Sequence, residues 1–123
     1  MTLQELYVLI EGDYEQAIKV LRIEKLLDKH IRKLPNNTVF EELFLAIEKM
    51  DGNAIFESSH AIKGLCSNLG LNKLAALSAE VCDEFRQGNA RKMGDLEVKN
   101  KISQIKSLFE KTCDGIHQYE AAQ

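Results

Sequence analysis

Apolar residues return every three or four positions through most of this chain, a rhythm that suits amphipathic helices and little else. Phe40, Leu43, Phe44, Ile47 and Met50 share one helical face, as do Ile55, Ser59, Ile62, Cys66 and Leu69. Leu74, Leu77, Val81 and Phe85 form a third stripe, and Val98, Ile102, Ile105, Phe109 and Cys113 a fourth. No segment alternates polar and apolar residues with the β-branched enrichment of a strand. An all-α protein is expected.

Local punctuation sets the boundaries. Thr2 with Glu5, Asp13 with Gln16 and Thr38 with Glu41 all have capping-box spacing, and each is expected to open a helix. The first helix runs from Leu3 to Glu11 and ends near Gly12; the second runs from Tyr14 to about Leu34, where Pro35 stops it. The third spans Val39 to about Met50 and is broken by Asp51, Gly52 and Asn53. Asn53 is the expected cap of the next helix, which ends around Leu69 and Gly70, and Asn72 the cap of its successor, with Gly88 past its C-terminus. A final helix runs from about Leu96 to Cys113 or Ile116, with a fraying tail. Long amphipathic helices on short links, plus a short N-terminal one, predict an antiparallel up-down-up-down four-helix bundle.

At 123 residues, 45% of them hydrophobic, the chain suits one domain over 1–123 with no linker, repeat or low-complexity tract. A net charge of -3 points to neither nucleic acid nor a membrane surface as partner. The opening "MTLQELYVLI" lacks the features of a signal peptide, and no apolar run approaches the roughly 20 residues of a membrane helix, so a cytoplasmic protein is expected. The three cysteines, Cys66, Cys82 and Cys113, are scattered on apolar faces and suit reduced buried thiols. No Cys or His pair has metal-ligand spacing, and no bound cofactor is expected.

One stretch departs from ordinary helix composition. In "HAIKGLCSNLG", Gly64 lies inside the helical pattern, where a glycine costs about 1 kcal/mol relative to alanine. At about 100° per residue, His60, Lys63, Gly64, Ser67 and Phe56 share one stripe, while Ile55, Ile62, Leu65, Cys66 and Leu69 point toward the core. His60 is thus expected to face solvent. The missing side chain at Gly64 clears the flank of its imidazole for a phosphoryl group or another protein, Lys63 supplies a cation, and Ser67 offers a hydrogen bond.

The sequence "HAIKGLCSNLGLNKLAAL" resembles the signature of histidine-containing phosphotransfer (HPt) domains, through His60, Lys63, Gly64, Leu69, Gly70 and Leu74. "EGDYEQAIKVL" and "AIEKMDGNAIFESSH" are similar to the family's helix boundaries, so the likeness covers most of the chain. Leu65 stands where many members have a small residue, and the family's late acidic residue falls near Asp83 and Glu84. The resemblance implies that His60 accepts a phosphoryl group from a receiver-domain aspartyl phosphate and passes it to another receiver, with Lys63 stabilising the phosphate and Gly64 giving clearance. It implies response-regulator receivers and a hybrid sensor kinase as partners, with Mg²⁺ supplied by the receiver. Such a chain is a phosphocarrier with no nucleotide site of its own, and a monomer is the default.

Competing interpretations attach to several residues. His30 and His117 lack comparable surroundings and suit solvated or packing roles. Phe56 either docks a receiver or lies beneath Leu6, Leu9 and Ile10 of the first helix; Lys73 and Arg86 either add charge beside the site or belong to a solvated face. A helical adaptor that is never phosphorylated, and the substrate domain of a chemotaxis-type kinase, are the alternative functions.

Overall fold

Side-chain caps open three of the helices. A computed structural model describes residues 1–123 as α1 (Leu3–Leu9), α2 (Tyr14–Leu21), α3 (Glu24–Lys33), a 3-10 turn (Leu34–Asn36), α4 (Val39–Lys49), α5 (Gly52–Asn68), α6 (Asn72–Glu84) and α7 (Asp95–Ala121), with no strand. Thr2 and Glu5 form the reciprocal capping box at α1, with bonds of 3.1 and 2.9 Å. Asp13 accepts the Gln16 N–H at 3.0 Å, and Asp51 accepts the Ala54 N–H at 3.2 Å.

Several boundaries differ from the sequence expectation, each for a local reason. Tyr14 to Leu34 is not one helix: Arg22 has φ of 78° and Ile23 is extended, which separates α2 from α3. Ala17 and Leu21 sit about a quarter turn out of phase with Leu27, Ile31 and Leu34, so a straight helix would turn one set away from the core. The break lets both face inward. Asp51, not Asn53, caps α5, because Asn53 already lies inside it. Thr38 has helical dihedrals and makes no capping bond; Asn37 Oδ1 accepts the Val39 N–H at 3.0 Å in its place. Asn72 is the first residue of α6 and Leu71 its uncapped N-cap, since the tight Leu69–Leu71 link carries the Leu71 N–H to the Cys66 carbonyl at 2.8 Å.

The tail of α7 does not fray at Ile116 but stays helical to Ala121, because Tyr119 is buried. The Tyr119 hydroxyl donates to Asp28 Oδ1 at 2.5 Å, and the Arg32 guanidinium lies 4.9 Å from the Tyr119 ring centroid. Partial burial raises the Asp28 pKa, but the hydrogen bonds from Tyr119 and Arg32 outweigh it and hold the carboxyl below its usual range. A depressed folded-state value means stability present above the unfolded pKa, near 4, and lost as pH falls through the folded one. Tyr119→Phe is therefore expected to cost about 1–2 kcal/mol at neutral pH by urea unfolding, with the deficit shrinking below about pH 4. A deficit that persists unchanged into acid would show that packing, not the carboxylate bond, carries the effect.

Every helix contributes to one contiguous core of 24 buried apolar residues, from Leu3 to Tyr119. Helices α4 to α7 form a ring in which α5 packs on α4 and α6, and α7 closes the ring against α6 and α4. Stacked Phe40 and Phe109, with centroids 3.9 Å apart, seal the α4–α7 seam, and Lys101 pairs with Glu80 at 2.9 Å across α6 and α7. Helices α1 and α2 grip the turn between α5 and α6. The Tyr7 hydroxyl donates to the Leu69 carbonyl at 2.7 Å, the Gln16 amide to the Ser67 carbonyl at 3.1 Å, and the Asp13 N–H to the Gly70 carbonyl at 2.8 Å. These contacts hold the N-terminal helices at the C-terminal end of α5, well away from its middle. No helix is long and apolar enough to cross a membrane.

Candidate functional site

The middle of α5 presents its polar stripe outward because its apolar stripe is spent on the core. Ile55, Ile62 and Cys66 are fully buried, and inward-facing Ser59 returns its hydroxyl to the Ile55 carbonyl at 2.6 Å. The opposite face carries His60, which is exposed. One turn earlier, Phe56 is half-buried and stacks on the imidazole, with centroids 5.7 Å apart and planes 14° apart. The first helix does not cover Phe56; Leu9 and Ile10 instead pack around Gly115 of α7. The aromatic neighbour restrains the ring while its far edge stays open.

Lys63 and Gly64 lie on the turn after His60. Lys63 is half-exposed and joins none of the ion pairs, so its ammonium is free to meet an incoming anion. A Cβ built on Gly64 would meet nothing within 4 Å. Nothing inside the protein requires the glycine; any requirement comes from outside. Leu65 is half-buried and packs against the core flank.

Cys82 of α6 and Arg86, just past the end of that helix, complete the surroundings. Cys82 Sγ is 3.9 Å from His60 Nδ1, and Arg86 extends its guanidinium to 5.4 Å from the Phe56 centroid and 3.9 Å from Cys82 Sγ. Asp83, the acidic residue nearest Arg86, accepts from it at 3.3 Å. Glu84 is turned the other way. Backbone N–H groups of Met93 and Lys92 bond its carboxylate, at 3.0 and 2.9 Å, and hold its pKa down while fastening the α6–α7 link.

Ser67 and Lys73 are not brought to the imidazole. Ser67 lies two turns along α5, about 10 Å away on the axis, and Lys73 pairs with Glu11 at 3.0 Å. Lys73 precedes Cys82 by nine residues of α6, or about 13 Å of helix. His30 and His117 are exposed on α3 and α7, and neither makes a ring stack or a short contact to its nitrogens.

Sequence patterning alone treated Cys82 as a buried thiol and missed its contact with the histidine. A signal existed: the short Leu69–Leu71 link joins α5 to α6, and Leu71, its last residue, lies midway between positions 60 and 82. Antiparallel pairing about that residue brings the two opposite one another. Burial pushes the other two thiols up, Cys66 to about 12 and Cys113 to about 11, the latter helped by Asp114 and Glu110.

The model of the Hpt domain family matches residues 20–112, which takes in the α5 stripe and the whole ring of helices α4 to α6 with most of α7. The chain belongs to the Hpt domain family. No curated protein and no solved structure matches it. Hpt domains carry phosphoryl groups on histidine in phosphorelay signalling, acting with response-regulator receiver domains as phosphocarriers rather than as enzymes. The Hpt match begins in the last turn of α2, so α1 and the Tyr119 anchor lie outside it.

Proposed function

We propose that His60 is the phosphoacceptor of this Hpt domain, receiving the group from the aspartyl phosphate of one receiver and donating it to the aspartate of another. The observation that carries this reading is an exposed imidazole beside a glycine whose absent side chain serves no internal contact. A neutral imidazole has a lone pair able to attack phosphorus, and an exposed ring can be approached in line. Lys63, one turn on and unpaired, offers charge to the phosphoryl oxygens. Phe56 and Arg86 border the ring and form the nearest docking surface, and Ser67, seven residues on along the same stripe of α5, extends it; Lys73, half a turn round α6 from Cys82 and paired with Glu11, lies off this face. The receiver supplies Mg²⁺ and most of the charge stabilisation. On this reading residues 1–123 act as one monomeric cytoplasmic unit, the ring of helices runs alternately up and down, and a hybrid sensor kinase lies upstream.

The test is transfer of labelled phosphate from a receiver charged with a small phosphodonor. Acid-labile, alkali-stable label is expected, mapping by mass spectrometry to the peptide containing His60. Label on His30 or His117, or none from any receiver of the source organism, would overturn the assignment and favour a docking adaptor.

Gly64 gives an independent check. Gly64→Gln is expected to slow transfer about tenfold, since misplacing a reacting group by an ångström has effects of at least that size. Its stability should hold or rise by about 0.5 kcal/mol, because glutamine is the better helix former. An unchanged transfer rate would remove clearance as the reason for the glycine.

A further inference from the structure

The seam between α5 and α6 places a sulfur against the inner edge of the His60 ring. Cys82 Sγ stands 3.9 Å from Nδ1, within range of a weak hydrogen bond to sulfur, and the residue is 0% exposed, so water does not compete for that contact. An Arg86 N–H points at the same atom from 3.9 Å. Facing a cationic donor, sulfur presents its lone pairs and acts as an acceptor. Phe56, nearly parallel to the imidazole at 14°, limits rotation of the ring away from this contact. In a neutral imidazole the bond made by one nitrogen decides which tautomer is present.

We propose that Cys82 is a positioning residue for phosphotransfer: its sulfur accepts the Nδ1–H of His60 and so fixes the tautomer whose lone pair lies on the outward Nε2. The proposal rests on the reading of His60 as phosphoacceptor. In the forward step the Nε2 lone pair forms the N–P bond while the P–O bond of the aspartyl phosphate breaks, its electron pair leaving on the receiver's carboxylate. The ring becomes a phosphoimidazolium cation with Nδ1–H still directed at sulfur. In the return step the N–P electron pair goes back to Nε2 as the second receiver's carboxylate bonds phosphorus. No proton moves in either direction, so no general base is needed. The reverse arrangement, with the thiol donating to Nδ1, would leave the proton on Nε2 and block attack.

Two substitutions separate this role from packing. Cys82→Val fills a similar volume without accepting a hydrogen bond, and Cys82→Ser restores an acceptor. Imidazole ¹⁵N shifts of the unphosphorylated protein at about pH 7.5, where an imidazole is mostly neutral, report the tautomer directly. The valine variant is expected to move His60 toward the Nε2–H form and to slow acceptance from a charged receiver about fivefold, as loss of one modest hydrogen bond implies; serine should recover both. A tautomer ratio unchanged in the valine variant, or valine and serine variants altered alike, would overturn the role of Cys82. Wild-type protein that takes no label at His60 would instead defeat the phosphoacceptor reading, while the tautomer measurement would still report on the contact.

Discussion

Replacing His60 with glutamine is expected to reduce phosphoryl transfer at least about a thousandfold, because the substitution removes the only group on that face with a nucleophilic nitrogen lone pair. Glutamine keeps a polar, flexible side chain on the helix surface. The imidazole is exposed, and its contacts are the stacked Phe56 and the weak approach of Cys82 Sγ, so the loss of stability should stay within about 1 kcal/mol. The variant should therefore melt close to wild type and still bind a receiver. Transfer at the wild-type rate would place the phosphoacceptor elsewhere. Loss of binding together with loss of label would show instead that the ring is chiefly a docking contact.

Gly70→Ala should produce the largest loss of stability. Its φ is +69°, and an added Cβ would lie 2.2 Å from the Asp13 carbonyl oxygen and 3.1 Å from the carbon of the same group. The left-handed conformation costs a non-glycine residue about 1–2 kcal/mol, and here the clash is with backbone that cannot rotate aside. Relief would require parting α2 from the α5–α6 turn, at the expense of the 2.8 Å bond from the Asp13 N–H to the Gly70 carbonyl. A total of about 3 kcal/mol and a fall in Tm of about 10 °C follow. Gly88 is the internal control: its φ is +92°, but a Cβ there meets nothing within 4 Å, so Gly88→Ala should cost only about 1 kcal/mol. Equal losses at the two positions would show that the clash contributes nothing. Since Gly70 lies beyond the end of α5, and Asn68 is already eight residues or about 12 Å of helix from His60, the Gly70 variant should still accept label below its melting temperature.

The stripes that build the core were legible because helical periodicity is a local property. Ile55, Ile62, Cys66 and Leu69 fall on one side of α5 by spacing alone, and the structure buries all four. The same geometry put His60 outside. Caps formed between neighbours were legible for the same reason at Thr2 and Asp13, where the bonding partner is three residues away. At Thr38 the rule failed, since the backbone had already entered the helix and Asn37 took the bond. The split between α2 and α3 carries no proline or glycine to announce it; only the demand that Ala17 and Leu27 reach one core creates it.

The order of residues by itself determined that this chain is helical, which face of each long helix is apolar, and that a histidine, a lysine and a glycine share an outward stripe, because side chains on one helix are related by a constant rotation. Tertiary structure alone decided that the first helix packs elsewhere than over Phe56, that Arg86 and Cys82 stand beside the imidazole while Lys73 pairs with Glu11, and that Tyr119 anchors the last turn on Asp28. Those contacts join positions far apart in the chain. Which of them form depends on how whole helices pack against one another, and no local spacing specifies that.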